Sequence, residues 1–402
     1  MMKVRLTQID GKLPNLALMK LAHWHKAQGD EVFFTRHIEA DLFEPRYDRI
    51  YGSAIFTFST GRVRQFQAAF PDAIVGGTYN LCDNRTVEDL LGLEEYEHYD
   101  YSILPHYRNP PLEKDDKQFL GSIGFTQRGC RLRCGFCVVP KKEGKARSVN
   151  SIYDIWRGEP WPRHLHLLDN DFFGQPREHW QARLSEILSG KFSMCLNQGI
   201  NTRMIDDESA EALGSIVRTE GCGLYDDSFS IPRLYTAWDN LKDEERFFRG
   251  VDTLERHGIP PSMLLVYMLI GYDPLETWER LFHRLHKMVE RQILPYPMIY
   301  ERERKRGLPL GNLTSLSFEM PGTKIETRWL IEDPTHPSLA RRTLQDFQRW
   351  AIRKYYRIVA FDQYDQRNRH PHRDWGKAAL AEAAAKKIEQ DKLAREPMLK
   401  FI

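Results

Sequence analysis

Hydrophobic positions in the first hundred residues switch between two periods. Val4 and Leu6 are separated by polar neighbours, which predicts a strand over residues 4–9. Leu18, Leu21, Ala22 and His25 then recur at helical spacing, predicting a helix over 13–28 that stops at Gly29. Further strands are predicted at 31–35, within 48–58 and at 73–77, with a helix at 61–70. Strands alternating with helices predict a doubly wound, Rossmann-like α/β domain over 1–100, with ligands beyond the carboxyl ends of its parallel strands.

Residues 101–117 break this rhythm with Pro105, Pro110, Pro111 and a charged run, and read as a linker. A second alternating series begins at 118. Its strands are predicted at 118–126, 163–169, 192–197, 233–238, 262–270 and 294–300. Helices are predicted near 151–157, 177–189, 207–219, 242–257 and 275–291, and a sixth over 338–357. Residues 301–402 read as a mainly helical extension.

Length and composition fit this division. The chain has 402 residues, enough for two domains, with 41% apolar and 28% charged residues. Its longest apolar run, 263–270, is too short to span a bilayer, and the N-terminus lacks the apolar core of a signal peptide, so a cytoplasmic location is expected. The net charge of +2 is unevenly spread. Residues 341–373 carry nine Arg and Lys against three Asp, interleaved with Phe347, Trp350, Tyr355, Tyr356, Phe361 and Tyr364. That stretch reads either as a nucleic-acid surface or as a helix with aromatics inside and solvated Arg. It matches no defined nucleic-acid motif, which favours the second reading.

The densest chemistry lies at 130–137, Cys-Arg-Leu-Arg-Cys-Gly-Phe-Cys. Cys130, Cys134 and Cys137 are half of the six cysteines, and they follow a predicted buried strand. Three close thiolates can hold three irons of a 4Fe–4S cluster, leaving the fourth iron open to a small molecule. Structural zinc takes four ligands in paired clusters, but no second CxxC exists, and Cys82, Cys195 and Cys222 stand alone. Disulfides are not expected in a reducing compartment.

This CxxxCxxC spacing, with Phe136 before the last Cys, resembles the motif of the radical SAM superfamily. The resemblance implies a partial (β/α)6 TIM-type barrel over 118–300, with the cysteine loop after its first strand. It also implies a 4Fe–4S cluster whose open iron chelates S-adenosyl-L-methionine (SAM). One electron then yields a 5′-deoxyadenosyl radical, and an external reductant of the flavodoxin or ferredoxin type supplies it. By position, Asp169 and Asn170 would face the SAM amine, with a helix cap or turn as the plainer role. Gln198, Asn201 and Arg203 follow the third strand, and an Arg fork suits the SAM carboxylate. Asp239 would take ribose hydroxyls or cap a helix, and Phe136 would flank the adenine through its backbone. The stretch 270–277, Ile-Gly-Tyr-Asp-Pro-Leu-Glu-Thr, is similar to the family's turn after the fifth strand. No catalytic acid or base is named by the sequence.

Residues 16–32 and 70–77 resemble the cobalamin-binding-like domain of one radical SAM subgroup, with Gly76 and Gly77 near the cofactor tail. The Asp-x-His-x-x-Gly signature of cobalt-ligating proteins is absent, and His23 and His25 fall inside a predicted helix, so any cobalamin would be bound without His. The leading expectation is a radical SAM enzyme, with cobalamin-assisted methyl transfer as its finer form. One alternative is an RNA-modifying enzyme of the methylthiotransferase type, whose second cluster would need three N-terminal cysteines where only Cys82 precedes Cys130. The other is a non-catalytic iron–sulfur or nucleic-acid-binding protein, whose cluster would need a fourth ligand.

Overall fold

The computed structural model describes residues 1–80, 83, 85–94, 96–104, 121–300, 311–318 and 326–364. The expected linker beyond residue 104, the first residues of the strand expected at 118, Cys82 and the basic stretch beyond 364 lie outside these. The fold is mixed α/β with parallel sheets. It divides into two compact units, 1–201 with 205–235 and 256–259, and 202–204 with 236–255 and 260–402.

The first unit opens with β1 (Lys3–Gln8), α1 (Leu16–Ala27), β2 (Glu31–Thr35), β3 (Arg49–Ser53), α2 (Thr60–Ala69) and β4 (Ile74–Gly76). All four strands are parallel, in the order β2-β1-β3-β4. The order in which strands are added switches from one side of β1 to the other, β2 on one side and β3 then β4 on the other, which opens a crevice at the carboxyl ends of β1 and β3. Asn15 starts α1 there: its side chain accepts from the Leu18 N–H at 3.2 Å and donates to Ser53 Oγ at 2.8 Å, tying the helix to the end of β3. The inner face of α1 (Leu18, Met19, Leu21, Ala22) packs on Val4, Leu6 and Tyr51.

Tyr101, Ile103, Leu104 and Ile123 belong to this same core. Tyr101, Ile103 and Leu104, expected at the start of a linker, are therefore buried, and the Ile123 N–H donates to the Tyr101 hydroxyl at 2.8 Å. After α3 (Val87–Leu91), the shared core leads into β5 (Ser122–Gly124), β6 (Gln127–Arg128), α4 (Val139–Lys142), β7 (Arg147–Ser148), α5 (Ile152–Ile155), β8 (His164–Leu167), α6 (Arg177–Gly190), β9 (Ser193–Cys195), α7 (Asp207–Arg218) and β10 (Gly223–Leu224). The strands β10-β9-β8-β5 form a second parallel sheet, while β6 and β7 pair antiparallel.

β11 (Leu234–Ala237) passes from the first unit to the second, which continues with α8 (Glu244–Arg256), β12 (Leu264–Ile270), α9 (Trp278–Glu290) and β13 (Leu294–Ile299). β12 and β13 are parallel, and β11 is ordered beside β12. All six strands expected from 118 onward are present, sorted into two sheets, with the two-residue β10 as an unexpected addition. The extension beyond 300 departs from a mainly helical one. It contains β14 (Leu313–Phe318) and β15 (Glu326–Ile331), an antiparallel pair. Its helix, α10 (Leu344–Ile352), is shorter than the expected 338–357 and is followed by Lys354 at φ +59°. Phe347, Trp350 and Phe361 are buried against Trp278 and Phe282, whereas Arg353, Lys354 and Arg357 are exposed. Among the described residues, no helix is long and apolar enough to cross a membrane.

Candidate functional site

The cysteine loop is closed at its base by β6 and β7, where Gln127 faces Ser148 and Arg128 faces Arg147. Gly129 then turns the chain at φ +75°, and a Cβ there would lie 2.1 Å from the Lys145 carbonyl oxygen. Only glycine fits that close approach. The Cys130 N–H donates to the Gly144 carbonyl at 3.3 Å, and the Cys137 N–H to the Cys134 carbonyl at 3.0 Å. The Leu132 N–H donates to Cys130 Sγ at 3.3 Å.

Two carboxylates after β8 hold the loop from below. Asp169 is buried and accepts from the Thr126 N–H at 2.7 Å, the Gln127 N–H at 3.1 Å and the Thr126 hydroxyl. Burial pushes its carboxyl up to about 7 against the lowering effect of those donors. Asp171 grips the Arg131 guanidinium at 2.8 and 3.0 Å and accepts the Arg131 N–H at 3.2 Å, while its own N–H donates to Gln127 Oε1 at 3.0 Å. A third carboxylate, Glu143 at the end of α4, gathers three donors on one oxygen: Arg128 Nε (3.0 Å), the Gly129 N–H (3.0 Å) and Asn170 Nδ2 (2.9 Å).

The loop so held forms a cavity of about 740 Å³ lined by all three cysteines. Its charged lining is cationic: Arg131, Arg133, Lys141 and Lys145. Gly135, Gly144, Ala146, Gly174 and Pro140 supply the rest. Burial pushes the Cys130 thiol above its ordinary value; the Leu132 N–H opposes this and the Asp171 charge adds to it. Three soft sulfur donors with four cations and no carboxylate in the wall suit an anionic thiolate-ligated group of cofactor size. The residues present therefore fit an iron–sulfur cluster.

The other expected residues separate into groups. Phe136 is half-buried between two lining residues but is not part of the lining. Asp169 is likewise outside it, its carboxylate turned to Thr126 and Gln127. Asn170, Gln198, Gly76 and Gly77 come together in a second cavity of about 520 Å³ in the first unit. That cavity opens at the carboxyl ends of β3 and β4 and is also lined by Asn15, Ser53, Arg128, Val139 and Lys142. α4 lies between the two cavities, with Pro140 and Lys141 in the lining of the first and Val139 and Lys142 in that of the second. Asn201 belongs to the first unit but lines neither cavity. Arg203 and Asp239 belong to the second unit. Arg203 pairs with Asp243 at 2.7 Å, and Asp239 accepts the Leu269 N–H at 3.0 Å. His25 is engaged at both ring nitrogens, by Asp30 (2.8 Å) and Tyr51 (3.2 Å), and His23 meets the Tyr96 hydroxyl at 2.6 Å.

Sequence reasoning missed Glu143 and Asp171. Their roles depend on the loop folding back across 14 and 40 residues, which no local spacing displays.

No protein-family model matches the chain, and no curated protein matches it. Among solved structures, a Cys-to-Ser variant of spore photoproduct lyase is similar at 11% identity and a TM-score of 0.27, over 89% of this chain and 96% of that one. So weak a likeness decides neither fold nor activity, and the site stands on its own geometry.

Proposed function

We propose that this chain is a radical SAM enzyme, with Cys130, Cys134 and Cys137 holding three irons of a 4Fe–4S cluster and SAM held at the fourth. The observation that carries the proposal is the single cavity shared by three thiols and four cations. When bound, such a cluster supplies one electron to SAM and so produces a 5′-deoxyadenosyl radical. The chain's own part is to anchor and balance that charge. Arg131, fixed by Asp171, stands in the wall with Arg133, Lys141 and Lys145. Their positive charge offsets three thiolates, and Glu143 keeps the loop's entry and exit together. An external one-electron reductant of the flavodoxin or ferredoxin type completes the system.

The finer reading is methyl transfer with cobalamin in the second cavity. Its support is the meeting of Gly76 and Gly77 with Asn170 and Gln198 there, across α4 from the cysteines. No histidine lines this cavity among the described residues, so cobalamin held there would be bound without His.

Anaerobic reconstitution with iron and sulfide, followed by reduction in the presence of SAM, tests the main reading. The expected product is 5′-deoxyadenosine, lost on Cys134→Ala. A reconstituted, reduced protein that leaves SAM intact would overturn it.

A further inference from the structure

A second group of metal-binding side chains lies away from the cysteine loop. His166, Cys195 and Asp227 bring a ring nitrogen, a sulfur and a carboxylate oxygen within 4.8 Å of one another. The sheet order explains how. His166 on β8 and Cys195 on β9 are register partners on parallel strands, so their side chains leave the same face. β10 lies on the other side of β9, and Asp227 follows it by three residues. Three neighbouring strands thus each deliver one donor at their carboxyl ends, where parallel sheets bind ligands.

The surroundings are built rather than incidental. His166 and Cys195 are buried, whereas Asp227 is exposed yet sits 3.3 Å from the Cys195 sulfur. Burial and the neighbouring Asp227 carboxylate push the Cys195 thiol well above its ordinary value, against the Asn197 N–H that donates to the sulfur, so without an ion the thiol keeps its proton. The Phe229 ring meets His166 edge-on at 4.8 Å and stacks on His164 at 4.4 Å, fixing the imidazole and shielding it from water. The loop carrying Asp227 is held by Asp226, whose Oδ1 accepts from the Ser228 hydroxyl and the N–H groups of Ser230 and Ile231.

We propose that His166, Cys195 and Asp227 form a site for a divalent transition-metal ion of the Zn²⁺ type. One imidazole, one thiolate and one carboxylate make a mixed N/S/O set suited to borderline ions and unsuited to Mg²⁺ or Ca²⁺. Three protein ligands leave a fourth position for water or a substrate atom, the pattern of reactive rather than structural zinc. Binding replaces the thiol proton with the ion and releases that proton to solvent. The site is independent of the iron–sulfur reading, since none of its ligands comes from the cysteine loop.

The test uses Co²⁺ as a spectroscopic probe on the full chain carrying Cys130→Ala, Cys134→Ala and Cys137→Ala. One equivalent of Co²⁺ should bind, with a thiolate-to-cobalt charge-transfer band in the near ultraviolet. The band should vanish in Cys195→Ala, persist in Cys222→Ala, and Co²⁺ affinity should fall at least ~10-fold in Asp227→Asn. Should a variant of the buried Cys195 or of the loop fail to fold, the difference between the unaltered chain and the surface change Asp227→Asn gives the same answer. Absence of the band, its loss in Cys222→Ala, or an unchanged Co²⁺ affinity in Asp227→Asn would overturn the proposal.

Discussion

Gly76 and Gly77 are adjacent yet do opposite things. Gly77 sits at φ +109°, and a Cβ there would lie 2.0 Å from the Ala54 carbonyl oxygen. Gly77→Ala should therefore destabilise the protein by about 1–3 kcal/mol in denaturant unfolding. At Gly76 a Cβ meets nothing within 4 Å, although the residue lines the second cavity. Gly76→Leu should leave stability within about 0.5 kcal/mol and abolish cobalamin binding, read by co-elution of its absorbance with the protein. Cobalamin bound equally by Gly76→Leu would remove it from this cavity. Asp169 adds a pH signature. Its carboxyl titrates near 7 when folded and near the ordinary aspartate value when unfolded, so the folded state holds the extra proton in between. Stability should fall as pH rises from about 4 to 7 and level off above. Asp169→Asn should remove this component, on the order of 3 kcal/mol, from the unfolding free energy measured across that range. Parallel pH curves for the two proteins would contradict the assignment.

At the scale of elements, the cysteine loop depends on a carboxylate that follows the last thiol by six residues. Glu143→Ala removes the shared acceptor of the Gly129 N–H, Arg128 and Asn170 and leaves Arg128 to Glu97 at 3.6 Å, so iron loss to a chelator should accelerate about tenfold while circular dichroism stays unchanged. The turn before α9 makes a comparable case in the second unit. Thr277 caps that helix, accepting from the Arg280 N–H, and this was legible as a turn followed by a helix. The buried pair beside it was not, because Glu276 and Arg284 meet at 3.0 Å only after the turn has folded. Glu276→Ala leaves Arg284 buried with carbonyl partners alone and should cost about 3–5 kcal/mol in thermal or denaturant unfolding. Strands β14 and β15 escaped detection for a local reason. Leu313 and Leu316 stand at helical spacing, and the partner strand begins only at Glu326.

For the whole molecule, alternating periodicity was enough to place every strand of the three sheets β2-β1-β3-β4, β10-β9-β8-β5 and β11-β12-β13 except β10, whose two residues are too short to show a period. The three thiols that line one cavity stood out in the sequence because they fall within eight residues of one another. Residues expected around it by position fared differently. Asn170, Gln198, Gly76 and Gly77 share a cavity, whereas Asp169 is turned inward by the N–H groups of Thr126 and Gln127. The His166, Cys195 and Asp227 group was invisible because strand order, not spacing, assembles it. The central claim is that three protein thiolates leave one iron free for SAM. Mössbauer spectroscopy of protein reconstituted with ⁵⁷Fe, recorded with and without SAM, tests it most directly. The account requires one iron in four to shift when SAM is added, and the shift to disappear with the cluster in Cys137→Ala. Four irons that ignore SAM, or a protein that takes up no iron, would contradict it.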